Sequence, residues 1–171
     1  LDDITKGGIG KGELGVVIAP TGAGKSMVLV HLGARALEAG KNVVHYTLEL
    51  ADTVVANRYD SCITGYHLNE VKVFKEQIYD KLKDLPGKLI VKEYPTAVAN
   101  VTHFRNLLDE LKLKRKFVPD IIFVDYLNIC ASSRMKMGSS INSYTYIKAI
   151  AEELRGLAVE RNVPLWSATQ V

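Results

Sequence analysis

The stretch APTGAGKS at residues 19–26 follows the apolar run Leu14-Gly15-Val16-Val17-Ile18. No other feature of the sequence constrains the fold as tightly. An apolar strand that leaves into a glycine-containing turn, then meets Lys and Ser together, can wrap backbone N–H groups around an anion. Gly22 and Gly24 permit the dihedrals such a wrap needs. A helix starting near Lys25 would aim its positive end at the same point. The anion that fits is a phosphate. Lys25 would reach the β- and γ-phosphates of a nucleotide, and the Ser26 hydroxyl would bind Mg2+. Ala19 stands where the pattern usually begins with Gly, which is a small change. The expected nucleotide-binding residues are therefore Ala19, Pro20, Thr21, Gly22, Ala23, Gly24, Lys25 and Ser26. The bland alternative is a strand–helix turn with a chance Gly-Lys-Ser.

The rest of the chain alternates apolar runs with longer amphipathic stretches. Strands are expected at residues 14–19, 42–48, 88–92, 120–125 and 163–168, and helices at 25–39, 51–62 and 143–161. A further helix carries Phe104, Leu107, Leu108 and Leu111 inward, with Thr102 as its expected N-cap. Residues 64–87 read least clearly; Val71, Phe74, Ile78 and Leu82 suggest a short peripheral helix. This alternation predicts an α/β fold, a mainly parallel twisted sheet with helices on both faces. Right-handed crossovers would line up the C-terminal strand ends along one edge, where open α/β sheets bind ligands.

Three more strand ends carry groups that phosphoryl transfer needs. Ile121-Ile122-Phe123-Val124 lead to Asp125, and a carboxylate at the end of a buried strand suits a metal's water shell. The second strand ends at Glu49. If it lay beside the first, Glu49 would open onto the γ-phosphate as a general base; an acid favoured at a helix N-terminus is the alternative. The fifth strand ends at Thr169-Gln170, where the Gln170 amide could bond the γ-phosphate or serve only as a polar turn residue. Each of these three is weak alone, but together and in this order they are a strong signal.

The totals exclude less than they allow. A length of 171 residues suits one α/β domain, and 47% apolar residues suit a packed globule. No window approaches the roughly 18 uninterrupted apolar residues of a membrane helix, and LDDITKGG is no basic-then-apolar leader. A cytoplasmic protein is expected, with both ends read as cut from something longer. Cys62 and Cys130 are expected as reduced thiols. His31, His45, His67 and His103 form no ligand pair and are expected in packing or at the surface. The net charge of +3 is too small to argue for nucleic acid by itself.

The order of phosphate loop, Glu, Asp and Gln resembles the RecA-like ATPases. Within them it resembles the DnaB-like hexameric replicative helicases, phage-encoded ones of the T-even type above all. The resemblance is carried by GELGVVIAPTGAGKS, HYTLEL, KLIVKEYPT, FVPDIIFVDYLNIC and INSYTYIKAIAEELRGLAVERNVPLWSATQV. It implies ATP or another NTP with Mg2+, Lys25 and Ser26 on the phosphates and metal, and Glu49 as catalytic base. It further implies Asp125 as the second metal-site residue and Gln170 as a γ-phosphate sensor coupled to DNA. Such proteins form homo-oligomeric rings on single-stranded DNA, with primase and loader as possible partners. The arginine finger and a later DNA loop would lie beyond Val171, so residues 1–171 are expected to be the front part of one motor domain. That part should bind nucleotide better than it hydrolyses it. Arg58 is a candidate for the adenine or for a seam between subunits.

The loop at residues 130–142, CASSRMKMGSSIN, would face the ring's channel by the same resemblance, with Arg134 and Lys136 on phosphates. An ordinary solvated loop is the alternative. The run Lys112 to Lys116 is expected to be a solvated helix end, and Tyr144 and Tyr146 are expected to pack. The glycosylation-like Asn100-Val101-Thr102 is discounted. Rival readings are a recombinase- or clock-type ATPase without unwinding, a small-molecule kinase, which would need an arginine-bearing lid, and a non-hydrolysing nucleotide module.

Overall fold

The structure, a computed structural model, describes residues 2–136, 138 and 141–171. After a short helix α1 (Asp2–Thr5), the chain runs β1 (Leu14–Ala19), α2 (Lys25–Glu38), β2 (Val43–Thr47), α3 (Asp52–Thr64) and α4 (Lys75–Leu82). It continues β3 (Leu89–Glu93), α5 (Val101–Arg115), β4 (Ile121–Asp125), a 3-10 turn (Leu127–Ile129), α6 (Ser143–Arg161) and β5 (Leu165–Gln170). All five strands are parallel and lie in the order β1-β5-β4-β2-β3.

Alternate residues along the central strands feed two cores. Val44, Tyr46, Ile122, Val124 and Leu165 pack with α5 and α6, around Phe104, Leu108, Ile150, Leu154 and Leu157. Val43, Phe123 and Ala168 pack with α2 and α3, around Leu29, Ala34, Leu37, Val55 and Tyr59. A strand buried on both faces reads as a continuous apolar run, which is why β4 was easy to find. The expected fold class is therefore the observed one.

The strand order answers the condition set on Glu49. β2 is not beside β1; β5 and β4 lie between them. A local reason is visible at Gly15, which pairs with Trp166 of β5. A Cβ on Gly15 would sit 2.5 Å from the indole ring, so the bulk of Trp166 fits where β1 has no side chain. The other reason is burial: all five residues of β2 are buried, so it needs a neighbour on each side. It finds β4 and β3.

The cap of α5 is a correction. Asn100, not Thr102, is the N-cap, and its side chain accepts from the backbone of Thr102 (2.9 Å) and His103 (3.4 Å). The Asn100 N–H donates in turn to His103 Nδ1 at 3.2 Å, completing a reciprocal capping box. The fifth strand also starts two residues later than expected. Val163 N–H is spent on Ala158 O at the end of α6, and Pro164 has no N–H to give. Tyr146 packs as expected, with its hydroxyl accepting from Ser132 N–H at 3.0 Å, whereas Tyr144 is exposed. Among the described residues no helix is long and apolar enough to cross a membrane.

Candidate nucleotide site at the C-terminal edge of the sheet

β1 delivers the chain into the turn at Pro20. Gly22 (φ 76°) and Gly24 (φ 92°) both take the left-handed conformation, where any side chain would strain the backbone. Gly24 caps α2 without a side-chain bond to its N–H groups. The first turn of α2 therefore keeps donors facing the cradle. The Lys25 ammonium folds back onto Ala19 O and Pro20 O, 3.2 Å from each. It also lies 5.7 Å from the centre of the Tyr126 ring.

β4 brings Asp125 to the same edge. The residue is 2% exposed, and its Oδ1 has no hydrogen-bond partner. Burial raises its pKa from the ordinary carboxylate value; a hydrogen bond from Ser26 opposes the rise and the Glu49 charge adds to it. A buried carboxylate oxygen without a partner is costly. Together with the Ser26 hydroxyl it forms an all-oxygen donor pair suited to a hard cation. Mg2+ takes few protein ligands and keeps waters and phosphate oxygens. The residues present therefore fit Mg2+.

Glu49 reaches the cavity from beyond β4, because β2 pairs with β4 and not with β1. The backbone crosses there: Leu48 N–H donates to Asp125 O at 3.0 Å. Thr47 Oγ1 closes the turn under Glu49 by donating to Leu50 O at 2.8 Å. Glu49 itself is exposed. Gln170, the last residue of β5, donates from Nε2 to Thr21 Oγ1 of the phosphate loop. A cavity of about 310 Å³ is lined by Thr21, Lys25, Ser26, Glu49, Arg58, Tyr126 and Gln170 among others. Lys25, Ser26, Glu49, Asp125 and Gln170, which the sequence assigned to phosphate, metal, base and sensor, thus converge at one edge. Arg58 converges with them, on the second turn of α3, and its charge opposes the rise at Asp125.

One residue of the cavity lining and one neighbour outside it escaped the sequence reading. Tyr126 lines the cavity beside Lys25. Its phenol is pushed up by burial and by the charges of Glu49 and Asp125. Its place directly after Asp125 was the available signal. Asn128, outside the cavity lining, holds the end of β5 through Thr169 and Gln170 and had no local signature.

The loop after Cys130 lies apart from the cavity. Arg134 is not free: its guanidinium donates to Glu152 Oε2 (3.1 Å) and to Ala149 O (3.2 Å) of α6. Glu153, nearly buried, receives Ser133 N–H at 2.8 Å. Lys136 is exposed, and residues 137, 139 and 140 of this loop lie outside the described residues.

The DnaB-like helicase C terminal domain family matches residues 1–171. The chain belongs to that family. Within it, this DnaB-like domain is 46% identical over 179 aligned positions to the DnaB-like replicative helicase of Enterobacteria phage T4, covering 100% of this chain and 38% of that protein. It is 24% identical over 176 positions to the replicative DNA helicase DnaB of Helicobacter pylori, covering 100% of the chain and 35% of that protein. The domain therefore spans less than two fifths of either relative. Solved structures share the fold. The ATPase domain of G40P superposes with a TM-score of 0.75 at 16% identity, covering 99% of this chain and 60% of that one. A DnaB-like replicative helicase, described with its interactions with primase, gives 0.72 at 15% identity, covering 95% and 39%.

Proposed function

We propose that this DnaB-like domain is the nucleotide-handling front of a replicative helicase motor. It would bind ATP or another NTP with Mg2+ between subunits of a homo-oligomeric, hexameric ring, and hydrolysis would drive the ring along single-stranded DNA. The observation that carries this is the convergence of Lys25, Ser26, Glu49 and Gln170 around one cavity, with Asp125 bonded to Ser26 behind it and one buried Asp125 oxygen left without a partner. Membership of a helicase family supports it.

Each residue has a task that its position suits. The cradle at residues 19–26 binds the phosphates through backbone N–H groups, and Lys25 leaves its two carbonyls to neutralise the β- and γ-phosphates. Ser26 and Asp125 would hold Mg2+, which supplies charge neutralisation on the phosphate oxygens. Glu49, exposed at the mouth, orients water and takes its proton. Gln170 exchanges its bond with Thr21 for the γ-phosphate. Arg58 lies within the same cavity and adds a cation on the side of Glu49. Arg134 and Lys136 would grip the DNA backbone without reading bases. Partners such as a primase or a loader would engage the complete protein, acting in the host cytoplasm where phage replication runs.

The test is Glu49→Gln in the full-length protein. Turnover should fall at least about a hundredfold, in line with loss of a general base, while nucleotide affinity stays within a few-fold. Turnover that survives would sink the assignment of Glu49. Hydrolysis indifferent to single-stranded DNA in the unaltered protein would remove the helicase reading and leave an ATPase of another kind.

A further inference from the structure

The backbone ladder between β4 and β5 ends early. Its paired positions are Ile122 with Leu165, Phe123 with Trp166 and Val124 with Ser167. Beyond them Asp125 turns toward β2, where its carbonyl accepts from Leu48 N–H. The last residues of β5 are then tied to the β4 side by one side chain. Asn128 Oδ1 accepts from Thr169 Oγ1 at 2.8 Å and from Gln170 N–H at 3.2 Å. One amide oxygen thus fixes the backbone of the residue whose side chain bonds the phosphate loop at Thr21.

Asn128 is also the start of a stiff path. Cys130 N–H donates to Leu127 O at 3.1 Å, and Ala131 N–H to Ala99 O at 2.8 Å. Ser132 N–H donates to the Tyr146 hydroxyl at 3.0 Å, and Ser133 N–H to Glu153 at 2.8 Å. Leu127 and Cys130 are buried. Four consecutive residues are therefore anchored one by one between Asn128 and Arg134. The Gln170 N–H and this path thus meet at one residue, Asn128.

We infer that Asn128 is a positioning residue that couples the phosphate contact of Gln170 to the loop carrying Arg134. This rests on the function proposed above. Asn128 touches no nucleotide in this scheme; it acts through Gln170 and Thr169. A purely structural role would change stability and all activities together. A coupling role changes one ratio, the hydrolysis rate with single-stranded DNA over the rate without it. A change of about tenfold in that ratio is an ordinary size for coupling between sites.

The experiment uses the full-length protein and four forms: unaltered, Asn128→Ala, Thr169→Val and both changes together. Basal hydrolysis, affinity for a fluorescent ATP analogue, and hydrolysis with a single-stranded oligonucleotide are measured. Asn128→Asp, which keeps both acceptor contacts, is the conservative variant. The expected result is about a tenfold loss of DNA stimulation in Asn128→Ala, with basal rate and analogue affinity within twofold. Thr169→Val should lose part of it, the double variant no more than Asn128→Ala, and Asn128→Asp should keep it. If Asn128→Ala fails to fold, Thr169→Val against Asn128→Asp decides on the same ratio. Unchanged stimulation in Asn128→Ala, or equal loss of basal rate and affinity, overturns the coupling and leaves the motor function standing. An unaltered protein that DNA does not stimulate overturns both.

Discussion

At the scale of single residues, Asp125 and His45 show two ways of burying a titratable group. Asp125 is held above its ordinary pKa, chiefly by burial. Its ionised form therefore costs stability as pH rises through that raised value, and at neutral pH the cost is in force. Asp125→Asn should raise the melting temperature of the nucleotide-free chain by about 2–4 °C, the shift expected for roughly 1 kcal/mol in a domain of this size. The same variant should lose Mg2+-dependent nucleotide binding; calorimetry with and without Mg-nucleotide checks both. His45 is fully buried, stacked on Phe123, and bonded through Nδ1 to the Tyr59 hydroxyl at 2.8 Å. Burial lowers its pKa from 6.5 to about 3. Its folded pKa is depressed, so its contribution is intact above pH 6.5 and is lost as pH falls toward 3. The loss should run at about 1.4 kcal/mol per pH unit, and His45→Gln should remove one proton's share from the pH slope of denaturant unfolding. Lys25, Ser26 and Asp125 were legible because each sits in a local pattern. His45 was expected in packing or at the surface, because its low pKa comes from complete burial, which long-range packing decides.

Among the elements, local signals placed α2, α6 and the apolar strands; they misread one cap and one strand start, and missed the features set by long-range choice. Asn100 and Thr102 are both good N-cap types; Asn100 wins because His103 stands three residues on to return the bond. Asn100→Ala should cost about 1 kcal/mol, read as a lower urea midpoint with an unchanged slope. The position of β2 was not legible, since the fit of Trp166 over Gly15 joins residues 151 apart in number. The route of Glu49, from beyond β4, was therefore not legible, whereas its place at the cavity was. α2 and α3 meet where the Tyr59 ring crosses Gly33, and a Cβ on Gly33 would overlap the Tyr59 hydroxyl. Gly33→Ala should therefore destabilise the chain by about 1–3 kcal/mol through overpacking. The ion pair that holds Arg134 on α6 was equally invisible, because Arg134 and Glu152 are distant in sequence. Glu152→Ala should remove one of the two acceptors that hold the guanidinium, leaving Ala149 O, and tighten single-stranded DNA binding a few-fold at low salt, with a steeper dependence on salt concentration. Fluorescence anisotropy titrations at two salt concentrations measure this.

Across residues 1–171, one sheet edge gathers the chemistry, and β3 and β1 stand at the two ends of the strand order. On β1, Ile18 is 64% exposed, beside backbone groups that pair only toward β5. An outer strand of this kind templates the addition of another strand, and natural sheets commonly guard it with a charge. Two copies could therefore zip together along β1 as their concentration rises, and light scattering would register a larger particle. Such a particle has a different origin from a proposed ring that closes around nucleotide. Ile18→Lys separates the two: sticky growth through β1 vanishes with the added charge, while assembly through the nucleotide edge persists and follows the nucleotide.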